Sequence, residues 1–233
     1  AAKDGGLAMV HAENGCCIEY LVDRLTSEGK LSAEWLLPSQ PNILEVEGVQ
    51  RAITYSQITD CPLYTVHLTT HDVLPLVRTS REKGLELYTE TCPHYLTLTN
   101  REVIEKGTIG KVGPPLREKE DCDALWSAVC EGTIDVIGSD SGGFTRAMKR
   151  ASSPMLSEGA GPDNIFDAPY GLNTIEFMAP VVWNEGINHG RITLPKFVEV
   201  FCENPAKIFG IYPKKGTLSV GAFSDLVVLD PYI

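Results

Sequence analysis

The sequence predicts an α/β fold built on a parallel sheet, and three observations carry that prediction. Short apolar runs without polar alternation recur along the chain, which is the pattern of strands buried on both faces. Segments with apolar residues at helical spacing separate those runs, as βαβ units require. No internal repeat, low-complexity tract or strong linker competes with this reading.

Taken in order, residues 6–11 form the first apolar run and residues 16–27 the first helix, with Ile18, Leu21, Val22 and Leu25 on one face and Gly29 closing it. A stretch punctuated by Pro38 and Pro41 leads to a second helix over 46–59, closed by Asp60-Cys-Pro62. The pattern then repeats as a strand at 63–68, a helix at 73–83 stopped by Gly84, and a strand at 85–90. A helix at 121–131 and a fourth buried strand at 133–138 follow. Residues 141–168, with several glycines and prolines and few periodic apolar residues, read as a long loop, and such loops are usually functional or disordered. Helical patterns at 170–185 and 194–209 precede a small β-element over 217–220 and 225–230.

Composition narrows the function classes. Among 233 residues, 20 basic against 31 acidic side chains give a net charge of −11, a field that repels nucleic acid and anionic membranes. No apolar stretch reaches the roughly 18 to 20 residues that span a bilayer, and the first residues lack a signal-peptide pattern. Seven cysteines without a CxxC spacing suggest reduced thiols, so a cytoplasmic location is expected.

The informative coincidence is the position of four polar residues. His11, His67, Glu90 and Asp140 each lie at or just past the C-terminal end of a different predicted strand, the edge at which parallel α/β folds build their sites. Two imidazoles and a carboxylate there would suit zinc, manganese or iron. Each residue also has a plainer reading: a histidine that hydrogen-bonds structurally, an aspartate that caps a turn, a glutamate that pairs with backbone or lysine. His71, His94 and His189 read as loop or surface residues, His94 alone being near a strand end. Cys16, Cys17, Cys122 and Cys130 read as filling helix faces, since no basic partner sits beside them.

Six stretches carry a family resemblance: Met9-Val-His-Ala-Glu-Asn-Gly15, Glu90-Thr-Cys-Pro-His-Tyr-Leu96, Gly113-Pro-Pro-Leu-Arg117, Gly138-Ser-Asp140, Asn204-Pro-Ala-Lys-Ile-Phe-Gly210 and Lys215 through Pro231. In this order, over essentially the whole chain, they resemble the cyclic amidohydrolases, the dihydropyrimidinases, hydantoinases and allantoinase relatives. The resemblance implies a (β/α)8 TIM barrel with a binuclear metal centre, two zinc ions with manganese or iron as alternatives. Residues 1–212 would be its second half, strands five to eight with their helices, and residues 213–233 a C-terminal segment of a small β-sandwich. His11 and His67 would be metal ligands from strands five and six, and Asp140 both ligand and general base after strand eight. Gly113 and Asn173 would bind substrate. The first-strand histidine pair and a carboxylated lysine would belong to an N-terminal half that this sequence does not contain; no His-x-His occurs in it.

By that resemblance a metal-activated hydroxide attacks the ring carbonyl of a small cyclic amide, and Asp140 passes its proton to the departing ring nitrogen. A homotetramer or dimer is implied too. Two departures stand out: Ser141-Gly-Gly143 where many members have His-Cys-Pro or His-Ala-Pro, and Gly113 where serine is frequent. The stretch 143–168, with Arg146, Lys149 and Arg150, reads either as a lid or as a solvated loop. The alternative to an enzyme is a non-catalytic relative acting as a structural or signalling oligomer, or an inactive fragment.

Overall fold

A computed structural model describes residues 2–150 and 164–229. Within 141–168, the expected loop falls partly outside the described residues, as does the end of the 225–230 element.

Four strands form one parallel sheet in sequence order: β1 (Ala8–Val10), β2 (Leu63–Thr65), β3 (Leu87–Thr91) and β4 (Val136–Ile137). Register pairs Met9 with Tyr64, Tyr64 with Tyr88, and Thr91 with Ile137. Between β1 and β2 run α1 (Gly15–Ser27), α2 (Leu36–Ser39) and α3 (Asn42–Thr59); α4 (Leu74–Glu82) joins β2 to β3. The last crossover holds α5 (Pro93–Thr97), α6 (Asn100–Lys106) and α7 (Lys119–Glu131). The α/β parallel architecture is therefore as the sequence predicts.

β3 and β4 begin later than predicted for an identifiable reason. Leu85 bonds through its N–H to the Ser80 carbonyl, and Thr133 and Ile134 both bond to the Ala128 carbonyl. The first apolar residues after α4 and α7 thus close those helices rather than entering the ladder, as C-terminal capping motifs do. Conversely, α3 begins four residues earlier than predicted, because Pro41 is extended (φ −63°, ψ 153°) and releases Asn42 into the first turn. The buried core lies between sheet and helices and includes Leu63, Leu87 and Ile137 with Val49, Ile53, Val77, Leu125 and Val129.

Beyond β4, α8 (Arg146–Arg150) is short. The helix expected over 170–185 starts at α9 (Met178–Val182), since Leu172 instead bridges to Ser141, and α9 continues into a wider π turn, Trp183–Asn188. The 194–209 helix is confirmed as α10 (Leu194–Val198) and α11 (Asn204–Ile208) joined by a π turn, Glu199–Glu203. Pro205 has no N–H and would crowd the carbonyl four residues back; the widened turn carries the chain past it.

The predicted C-terminal β-element is not formed: residues 217–229 join no ladder among the described residues. Leu218, Val227 and Val228 are instead 87%, 83% and 95% exposed. A strand-like sequence needs a partner edge to become a strand, and among the described residues 217–229 pair with none.

One glycine bears directly on the site. A Cβ at Gly48 of α3 would lie 2.5 Å from the backbone carbonyl of Ala12, so this helix touches the segment following His11 backbone to backbone. Gly48→Ala is expected to cost at least the 1–3 kcal/mol typical of overpacking, read as a lower urea midpoint; an unchanged midpoint would show that the contact is not tight.

Candidate functional site

His11 follows β1 by one residue, His67 follows β2 by two and Asp140 follows β4 by three, so all three lie at the C-terminal edge of the sheet. Among the described residues three non-glycine positions have positive φ; two are His67 (39°) and Asp140 (42°), and the third, Asp60, caps α3. Left-handed backbone is disfavoured for such residues and collects where function demands an orientation.

The histidines meet. His11 Nδ1 and His67 Nε2 are 2.9 Å apart, and His11 Nε2 lies 3.0 Å from a Glu13 carboxylate oxygen. That carboxylate raises the His11 pKa, whereas burial, and then the proximity of His11, lowers that of His67. A protonated His11 donating to a neutral His67 satisfies both tendencies. Asp140 is exposed, and its charge acts on both imidazoles.

Glu90 sits at the same edge in a different role. Its carboxylate accepts a 2.7 Å hydrogen bond from the Tyr64 hydroxyl and packs against Gly138, where a Cβ would clash with it. Burial raises its pKa.

The other histidines divide. His71 bonds Asp121 at 2.7 Å and His189 lies 3.2 Å from Glu185, both on the surface side as expected. His94 corrects the expectation: it is 3% exposed, tilted on Tyr95 with ring centroids 4.1 Å apart, and neither ring nitrogen has a partner among the described residues. Burial lowers its pKa to about 3. Because the unfolded imidazole takes its proton near pH 6.5 and the folded one near 3, stability should fall with pH between those values. The expected slope is about 1.4 kcal/mol per pH unit, and His94→Phe should flatten it in urea titrations at several pH values.

The predicted substrate positions are linked to Asp140 through the segment from Tyr170 to Thr174. The Tyr170 ring covers Gly113, where a Cβ would lie 2.7 Å from it. Thr174 donates from its hydroxyl to the Ser139 carbonyl and from its N–H to the Ser141 hydroxyl at 3.2 Å, gripping both neighbours of Asp140. Asn173, between them, donates to the Phe144 carbonyl at 3.0 Å and is exposed.

Several expectations need correction. Cys16, Cys17 and Cys130 are exposed rather than filling helix faces, although Cys122 is buried. Lys149, read as part of a mobile or solvated stretch, is buried, and its ammonium donates to the Lys111 carbonyl. Sequence reasoning also missed Glu13, two residues past His11, and Tyr64, whose partnership with Glu90 spans 26 residues.

Among the described residues no three His, Cys, Asp or Glu side chains close on one point as a complete metal cage. The donors that are present still suit a divalent ion. A cation could replace the proton shared by His11 and His67, and beside them Glu13 Oε1 is buried without a partner among the described residues.

The fold and this edge define a class: α/β proteins that gather their polar residues at the C-terminal ends of parallel strands. The chain belongs to the amidohydrolase family, whose model matches residues 64–233. It is 35% identical to the D-hydantoinase of Ralstonia pickettii over 99% of this chain and 49% of that one, and 35% identical to the L-hydantoinase of Paenarthrobacter aurescens over 98% and 48%. Its backbone matches a D-hydantoinase (dihydropyrimidinase) from Thermus with a TM-score of 0.91 at 30% identity, over 97% of this chain and 48% of that one. The chain spans about half the length of the relatives it matches.

Proposed function

We propose that this chain is strands five to eight of a (β/α)8 barrel and contributes to a metal-dependent hydrolase of cyclic amide bonds acting on hydantoins or dihydropyrimidines. The observation that carries the reading is the 2.9 Å contact between two histidines from adjacent strands at the sheet's C-terminal edge. The names of the relatives supply the substrate class.

His11, His67 and Asp140 would hold a divalent ion, zinc being the first expectation. The chemistry supplied when an ion is bound is polarisation of the ring carbonyl and a water of lowered pKa. Asp140 would take the proton of that water on its carboxylate and hand it to the ring nitrogen as the C–N bond breaks. The Gly113 backbone and Asn173 would orient the amide ring. Residues 213–233 would join a small β-sandwich with chain not present here, which accounts for the exposed apolar side chains of 218–229. A homo-oligomer in the cytoplasm completes the reading, consistent with seven free cysteines.

The test is ring opening of hydantoin and dihydrouracil by the complete enzyme, this chain joined to the N-terminal half that its relatives possess. Turnover that a chelator abolishes and added zinc or manganese restores is the expected result. Turnover indifferent to chelation, or no ring opening with metal present, would contradict it.

A further inference from the structure

Behind the histidines lies a charged cluster to which neither the resemblance nor the proposed reaction assigns a role. Glu45 of α3 and Arg117 form an ion pair at 3.0 Å with side chains 2% and 1% exposed. Taking two charges out of water is costly, and apolar residues of similar volume often serve stability as well, so a buried pair is weak evidence for stability alone. Its hydrogen bonds converge on one residue. Glu45 accepts from the Thr69 N–H at 2.8 Å and from the Thr69 hydroxyl, while Arg117 Nε donates to that hydroxyl oxygen at 2.8 Å. A second Arg117 nitrogen donates to the Gln40 carbonyl, tying the cluster to the turn before α3.

Thr69 stands two residues after His67. Between them, Leu68 donates to the Glu90 carbonyl at 2.7 Å, and its own carbonyl accepts from the Thr91 hydroxyl at 2.8 Å. The stretch from His67 to Thr69 is therefore pinned at its last two residues, and His67 at its head carries the positive φ that free backbone would leave. We propose that the buried Glu45–Arg117 pair is a positioning device that acts through Thr69 to hold His67 against His11. This rests on the reading of His67 as a metal ligand, and it adds the residues that aim it. Groups behind a ligand typically change metal affinity or activity 10- to 100-fold when removed.

The experiment uses the complete enzyme and compares Thr69→Val, which lacks the shared hydroxyl, with Thr69→Ser, which keeps it; Glu45→Gln is the second probe. Zinc titrated into metal-free protein should bind Thr69→Val and folded Glu45→Gln about 10- to 100-fold more weakly than wild type, and Thr69→Ser as wild type does. In a metal-free crystal structure of Thr69→Val, His67 should leave positive φ and lose its contact with His11. If Thr69→Val binds zinc as tightly as wild type and keeps His67 in place, with only its unfolding midpoint lowered, the pair is merely structural and the proposal falls. If wild type itself binds no zinc, the metal reading fails separately, and the His67 backbone of Thr69→Val still decides the positioning role. Should Glu45→Gln not fold, the valine–serine comparison decides alone.

Discussion

Asp140→Asn in the complete enzyme is expected to lower kcat for ring opening by about 10²- to 10⁴-fold, the range of a lost general base, while most of the bound metal stays. The backbone argues for a clean experiment. Asp140 sits at φ 42°, and asparagine visits that region as readily as aspartate, so the turn should survive. Thr174 also continues to grip Ser139 and Ser141 on either side. An amide oxygen can still ligate a cation, but an amide cannot carry the proton. Kinetics with metal analysis on one preparation separates the two functions. A near-wild-type rate would remove Asp140 from the proton path and direct attention to His94; loss of metal together with rate would make it chiefly a ligand.

The second large effect concerns the chain on its own. Among the described residues β1 and β4 each have a strand neighbour on one side only, and Met9 of β1 is 51% exposed. A groove of about 360 Å3 runs beside β1, lined by Val10, Ala12, Gly48, Ala52 and Tyr55 and reaching His11 and Glu13. Unpaired edges beside apolar surface aggregate or recruit partners. The donor count points the same way, since two histidines and one aspartate are too few to hold two metal ions. Residues 1–233 prepared alone are therefore expected to show no amidohydrolase activity and to precipitate or associate, and co-production with the N-terminal half of the barrel should be needed for turnover. Light scattering and ring-opening assays on both preparations check this. A monodisperse 25.4 kDa species that binds two metal ions and turns over substrate would mean that the site is built differently.

Much of this was legible in the sequence because it is local. Four apolar runs mark four strands, and their spacing by helical segments is enough for a parallel order; His11 and His67 stand at the ends of two runs, so the edge on which they meet follows. What was hidden is non-local or depends on absent partners. Nothing in the spacing of Glu45, Thr69 and Arg117 signals that they share one buried cluster, because the contacts join segments 24 to 72 residues apart. His94 looked like a loop residue since its burial comes from the folded chain around it and not from its sequence neighbours. The apolar run within 225–230 reads as strand-like, yet a strand is a property of a pair, and among the described residues this run meets no second edge.

Whether His11, His67 and Asp140 hold a metal ion is decided by anomalous diffraction at the zinc edge from crystals of the complete enzyme, because it locates the ion without reference to activity. The expected result is a peak within bonding distance of His11, His67 or both, with Asp140 reaching the same centre. A peak elsewhere in the barrel, with the His11–His67 contact intact and no density at this edge, would contradict it.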